Sequence, residues 1–392
     1  MLPRVKINYL NGLLGTVPDN QDGLLGMLVL GATAVSTTFV LGTPYRLVRP
    51  EDLAALGITT TNNARIVELV NQFYAEAEEG TPVYLIGLES TAMTTVLDVD
   101  SGPMKAILQK LNGSLRGLIV ASASTASATV TDGLDPDVLT SIPKAQALAE
   151  WAADNIYAPI FVILEGRHFT SAADAPDLKQ LTYNRVGVFI GDVVTGSINA
   201  AVGTLAGRIA ASPVQRNIGR VASGALAPIA MYIGSAKVDD AMSVVDALYA
   251  KGYICPRIYT GLSGYYLVDD PLAVSSIDDY AHLTARRTVD KAARIAYITI
   301  LQFLLDEIEV NNDGTMQAAV LKSWQAAVED AIDNQMTASG ELSAVDGSGC
   351  KFYINPSQNV LATSKVEGAL KVRPFGYARE IVVNIGFLTI NS

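Results

Sequence analysis

DPDVLTSIPKAQALAEWAADNIYAPIFVILE, residues 135–165, runs a helix signal straight into a strand signal. Asp135 offers an N-cap oxygen, and Pro136 sits at the first helical position, where a missing N–H costs nothing. A helix is expected from Pro136 to Asn155. YAPIFVILE, from Tyr157, is short and almost continuously apolar, as a strand buried on both faces should be. The same texture recurs on both sides. Further strand candidates are TPVYLIGLE from Thr81, RGLIVAS from Arg116, NRVGVFIGD from Asn184 and YICPRIYT from Tyr253. Between them lie helix candidates from Ala64 to Glu79, Met104 to Leu111, Ile198 to Ala211 and Val238 to Lys251. Strand and helix in repetition imply an α/β unit with a mostly parallel sheet.

Past residue 275 the pattern changes. A long helix is expected from Leu283 to Ile308, broken by NNDG, and a second from Met316 to Asn334. The stripe of the second is Met316, Val320, Trp324, Ala327 and Ala331, close to a period of 3.6. CKFYINP and GALKVRP then read as strands. The expected fold is a central α/β domain (23–275) followed by an inner α+β domain (276–378), with arms at 1–22 and 379–392.

The arms explain themselves as exchanged strands. Ile381, Val383, Ile385 and Phe387 alternate with Val382, Asn384 and Gly386, a period of two, and no partner strand follows. At the other end Val5, Ile7 and Tyr9 alternate with Arg4, Lys6 and Asn8. Unpaired edge strands recruit other chains. An arm that completes a neighbour's sheet satisfies both, and such head-to-tail contacts generate rings or helical filaments.

Composition excludes several classes. Of the 392 residues, 49% are apolar and 17% charged, which guarantees a large core and leaves apolar surface for partners. The best apolar run, LLGMLVLGATAV from Leu24, is too short for the roughly 20 residues of a membrane span. No secretory signal is visible, and Cys255 and Cys350 form neither a CxxC pair nor a disulfide framework. A net charge of −11 argues against nucleic-acid binding.

Chemistry is scarce. His168, beside Glu165 after a strand, is the one histidine placed where α/β enzymes keep catalytic groups; it reads more simply as an exposed loop residue. GLSGY lacks the GxSxG spacing, and VGVFIGDVVTGS lacks both GxGxxG and GK[ST]. In EVNNDGT, Glu309, Asn311 and Asp313 mimic a calcium loop, but Val320 stands where a bidentate glutamate is needed, so a polar turn is expected. The acidic pairs Asp239–Asp240, Asp269–Asp270 and Asp278–Asp279 suit loops and helix N-termini. No metal, cofactor or catalytic residue is assigned.

One pattern is unusual. The Leu283 helix opens with Arg286, Arg287, Lys291 and Arg294 and closes with Asp306, Glu307 and Glu309, against the helix dipole. Asp290 can pair with Arg286 and Arg294 at i±4. The four cations read either as a solvated face or as a contact for a partner of opposite sign.

From His282 to Phe387 the chain resembles the contractile tail sheath proteins of phages and contractile injection systems. The resemblance lies in an ordered set: TARRTVDKAARIAY, the NNDG break, the Trp-bearing helix, ASGEL, KFYINPSQNVLAT and GALKVRPFGYAREIVVNIGF with Glu380 before the last strand. Upstream, LAGRIAASPVQRNIGRVASGAL resembles the family's Ala-Gly helix and basic loop, with Arg220 and Val221 replacing a tryptophan–lysine–alanine–proline sequence, the mark of a divergent branch. The resemblance implies a structural subunit that stacks helically with copies of itself around an inner tube. A baseplate trigger then lets the array shorten and drive the tube through a target envelope. It also implies baseplate and tail terminator partners, assembly in a bacterial cytoplasm, no nucleotide or other cofactor, and no direct membrane insertion. The tube contact it implies falls on Lys322 or on the Arg286–Arg294 cluster. Two other classes stay open at this point: a static shell or tube protein, and an α/β hydrolase built around His168.

Overall fold

The computed structural model describes residues 21–126 and 128–385. By contacts the chain forms two compact units, residues 1–297 and 298–392. The division by contacts falls within the Leu283–Ile300 helix, most of which belongs to the first unit because its cations are buried there.

The first unit is built on β1 (Leu25–Leu30), β2 (Pro44–Leu47), β3 (Val83–Leu88), β4 (Gly117–Ser122), β5 (Phe161–Glu165), β6 (Thr182–Tyr183) and β7 (Val186–Phe189). Six of them form one sheet in the order β2-β3-β1-β4-β5-β7. Only β2, at the edge, runs antiparallel. β6 instead pairs with Ala273–Val274. The run from Leu24, too short for a membrane, is the middle of this sheet. All six residues of β1 are buried, and each pairs with both β3 and β4. An apolar run without alternation is what burial on both faces demands. Of the YICPRIYT candidate, Ile254 bridges β7 at Phe189, and only Pro256–Arg257 forms a strand, in a separate two-stranded pair.

Helices cover the sheet. Asp135 accepts from the Asp137 N–H at 3.0 Å and caps the Pro136–Asn155 helix. The Ala64–Ala77 and Val202–Ala211 helices touch through glycines. A Cβ on Gly203 would lie 2.4 Å from the Leu69 carbonyl oxygen, and one on Gly207 2.4 Å from that of Phe73. Those two glycines, one turn apart, let the backbones meet.

In the second unit the long helix stops at Ile300, short of the expected Ile308, and a 3₁₀ turn ends at Phe303. Leu304 is extended and Leu305 takes φ +65°, so the following residues leave the helix. Val310 then bridges Met316 across the NNDG turn, whose Asp313 carboxylate accepts from the Thr315 N–H and hydroxyl. The next helix, Ala318–Ile332, buries Leu321, Val328 and Ile332. The expected stripe is one position off; Trp324 is half-buried and stacks on Phe303 at 4.6 Å. Cys350–Ile354 pairs antiparallel with Gly368–Val372. Cys350, Phe352 and Ile354 face inward, while Lys351 and Tyr353 face out. Among the described residues no helix is long and apolar enough to cross a membrane.

Candidate functional site

The carboxyl end of a parallel sheet is where an α/β enzyme would place its chemistry. Here the groups at that end engage one another. Glu165 is fully buried, with Arg65 Nη2 at 2.5 Å and the N–H groups of Ser122 and Ala200 at 2.7 and 2.9 Å. Arg167, also buried, donates to the Ser124 carbonyl at 2.7 Å. His168 is buried, not the exposed loop residue expected. Its N–H donates to the Ile198 carbonyl at 2.8 Å, which draws the loop after β5 inward at a backbone φ of +51°. With three donors on its carboxylate, Glu165 serves as an anchor for the strand ends.

The charge-reversed helix is compensated from within the first unit. Arg286 pairs with Asp290 at 2.7 Å and lies over the Tyr280 ring. Asp290 also meets Arg185 at 3.0 Å. Arg287, 4% exposed, donates to the Ile209 and Ser212 carbonyls, at the C-terminal end of the Val202–Ala211 helix, where a cation is favoured. Lys291 pairs with Asp22 at 2.5 Å. Arg294 donates to the carbonyls of Gly113, Leu115 and Pro159, and burial pushes its pKa down to about 9. The expectation that these four cations form a solvated face or await an outside partner is corrected: the fold has already used them. Lys322, on the second unit's helix, is exposed.

The expected loop pair Asp269–Asp270 joins a cluster at the start of the same helix. Asp269, Asp270 and His282 each bring a ligand atom within 4.8 Å of the others, a set able to hold a cation. In the chain as folded, their oxygens already accept hydrogen bonds. Asn217 donates to both aspartates at 2.5 and 2.8 Å, Tyr249 donates to Asp269, and the Thr284 N–H donates to Asp270 at 2.7 Å. The cluster thus joins the Asn217 loop to the first turn of the helix. Burial raises the Asp270 pKa above the usual 3.8. A raised carboxyl pKa stabilises the fold at low pH, and that contribution is lost as pH rises through the folded value. Asp270→Asn should therefore gain in thermal stability relative to the parent as pH climbs above the ordinary aspartate value of 3.8. Parallel melting curves across that range would remove Asp270 from this role.

The second unit has uncovered strand edges. Among the described residues its sheet has two strands, so each presents one outer edge. That of Cys350–Ile354 is partly closed, because Glu329 accepts from the Phe352 N–H at 2.8 Å. Ile381, Val383 and Ile385 are 78%, 72% and 93% exposed and form no strand within the chain. Val5, Ile7, Tyr9 and Phe387 lie outside the described residues.

Known structures share this architecture end to end. A chain of the anti-feeding prophage (AFP) baseplate, 6-fold symmetrised, superposes with a TM-score of 0.64 at 14% identity, covering 99% of both chains. A chain of the sheath complex of an extracellular contractile injection system, PVC, in its contracted state gives 0.62 at 14%, over 98% of this chain and 97% of that one. The AFP helical sheath in its contracted state gives 0.60 at 15%, over 98% and 99%. The fold is thus that of contractile injection system chains, at a distance that marks a divergent branch. No curated protein matches the chain by sequence. Residues 2–271 match the family described as DUF2586, N-terminal domain, and residues 279–392 match DUF2586, C-terminal domain, so the chain belongs to the DUF2586 family.

Proposed function

We propose that this chain is the subunit of a contractile sheath, a structural protein and not an enzyme. It polymerises as a helical array around an inner tube and shortens to drive that tube through a target envelope. The observation that carries the reading is the end-to-end fold match with chains of contracted AFP and PVC sheaths. The exposed, unpaired Ile381–Ile385 segment and the open Gly368–Val372 edge supply a means of linking copies by strand addition. Val5, Ile7, Tyr9 and Phe387 belong to the same proposed arms. Work on the target comes from energy stored in the assembled lattice, so the subunit needs no nucleotide. Of the proposed tube contacts, exposed Lys322 is the one that remains. Baseplate and terminator proteins would meet the ends of the array, which forms in a bacterial cytoplasm and functions in the particle.

Produced alone at high concentration, the protein should form hollow tubes or short rings, seen by negative-stain microscopy and light scattering. A strictly monomeric species under those conditions would sink the proposal.

A further inference from the structure

The second unit carries an apolar groove of about 450 Å³, bounded by Ile300, Phe303, Leu304, Trp324, Leu361 and Val366. Leu304 and Leu361 are 69% and 71% exposed beside the Phe303–Trp324 stack. Water contact at such a site is unfavourable, because it leaves apolar surface hydrated. The same unit holds a second uncovered apolar element, the Ile381–Ile385 segment. Its own chain leaves that segment in solvent, so it does not fill its own groove.

We infer that the groove receives the Ile381, Val383, Ile385 face of a second copy of this chain. The inference rests on the sheath reading and adds to it where the side chains of the exchanged arm go. Two features favour this occupant over others. The alternation of the arm presents three large aliphatic side chains on one face, matching a groove lined by the Phe303–Trp324 pair and aliphatic side chains. Charge also matches. Exposed Asp306 lines the groove, and exposed Glu307 and Glu309 flank its lining residue Ile308 in sequence, while the stretch leading to the arm carries Lys371, Arg373 and Arg379 against the single Glu380. Because groove and arm are different patches, the contact is head-to-tail and propagates instead of closing on a pair.

The test uses full-length protein in two singly substituted forms, Leu361→Cys and Val383→Cys, co-assembled and treated with a short bis-maleimide. Both native cysteines are buried and supply only background. Covalent dimers should appear in the mixture and not in either form alone. Background-level coupling in well-formed tubes would overturn the inference and leave the sheath reading standing. Coupling of Leu361→Cys to Ile7→Cys in place of Val383→Cys would assign the groove to the other arm and overturn it too. Failure to assemble at all, with monomers by light scattering, would remove both. As a second readout, Leu361→Glu keeps the strand edge intact but puts a charge in the groove. The concentration needed for assembly should rise more than about tenfold, equivalent to 1.4 kcal/mol. An unchanged threshold would count against the groove.

Discussion

Arg287→Glu is expected to cost the first unit more than about 3 kcal/mol, the scale for breaking a buried charged contact. Arg287 is 4% exposed, and its guanidinium donates to the Ile209 and Ser212 carbonyls at 3.2 and 2.8 Å. Glutamate would bring a negative charge to carbonyl oxygens at the negative end of a helix, with little access to water. Domains of ordinary stability have about 5–15 kcal/mol in hand, so the variant should melt far below the parent or fail to accumulate. The helix dipole alone favours the opposite outcome, since replacing a basic residue in the first turns of Leu283–Ile300 gains about 0.3–1 kcal/mol. The buried contact exceeds that gain several-fold and decides the sign. Lys322→Glu, at an exposed position, should stay within about 0.5 kcal/mol and serves as the control. Denaturant unfolding of the two variants separates these cases. An Arg287→Glu protein as stable as the parent would mean that the guanidinium is not confined between the two helices.

That reversal shows where sequence reading stops. Periodicity locates elements, and the strands from Val83, Gly117, Phe161 and Val186 were all legible as short apolar runs. β1 was not, although all six of its residues are buried. An unbroken run such as LGMLVL looks alike in a membrane and in a sheet centre, and only its neighbours decide. The charges on the Leu283 helix were legible as a pattern, but their meaning was not. The Arg286–Asp290 pair follows the i,i+4 spacing, but the other partners are remote in sequence: Asp22, Gly113, Leu115, Pro159, Arg185 and the carbonyls of Ile209 and Ser212. No spacing rule within one helix reaches that far. The Asp269–Asp270–His282 cluster had a faint signal, two adjacent acids ahead of a helix, and the loop that donates Asn217 to it is likewise distant. His168 followed the same course, since it is the fold of the Ile198 segment that buries it. The C-terminal hairpin was the easiest to read, because its partners are close in the chain and one face alone is buried, which leaves a clean alternation.

Removing Ile381–Ser392, or replacing Val383 and Ile385 by proline, should leave each unit folded and abolish tubes. The first half follows from exposure. The described part of this segment has no strand pairing and most of its apolar surface in water, so the isolated subunit loses little when it goes. The second half follows from the hydrogen bonds an added strand would make. About eight paired residues at roughly 1 kcal/mol net for each hydrogen bond bring several kcal/mol to every subunit link. Each 1.4 kcal/mol lost raises the concentration needed for assembly tenfold, so removing the arm should put tubes out of reach at any practical concentration. Proline is the sharper probe of the two. It keeps the arm apolar but removes the N–H that a ladder requires and fixes φ near −65°, away from the usual strand value. The open edge of Gly368–Val372 offers the complementary test, because Glu329 already occupies the Phe352 N–H on the other strand. Lys351→Ala, which faces outward on the partly closed strand, should leave tubes intact, whereas Leu370→Pro on the open strand should remove them. Melting curves matched to the parent, together with micrographs free of tubes, are the expected pair of results for the arm variants. Normal tubes from the truncated chain would show that the copies are held together by some other surface.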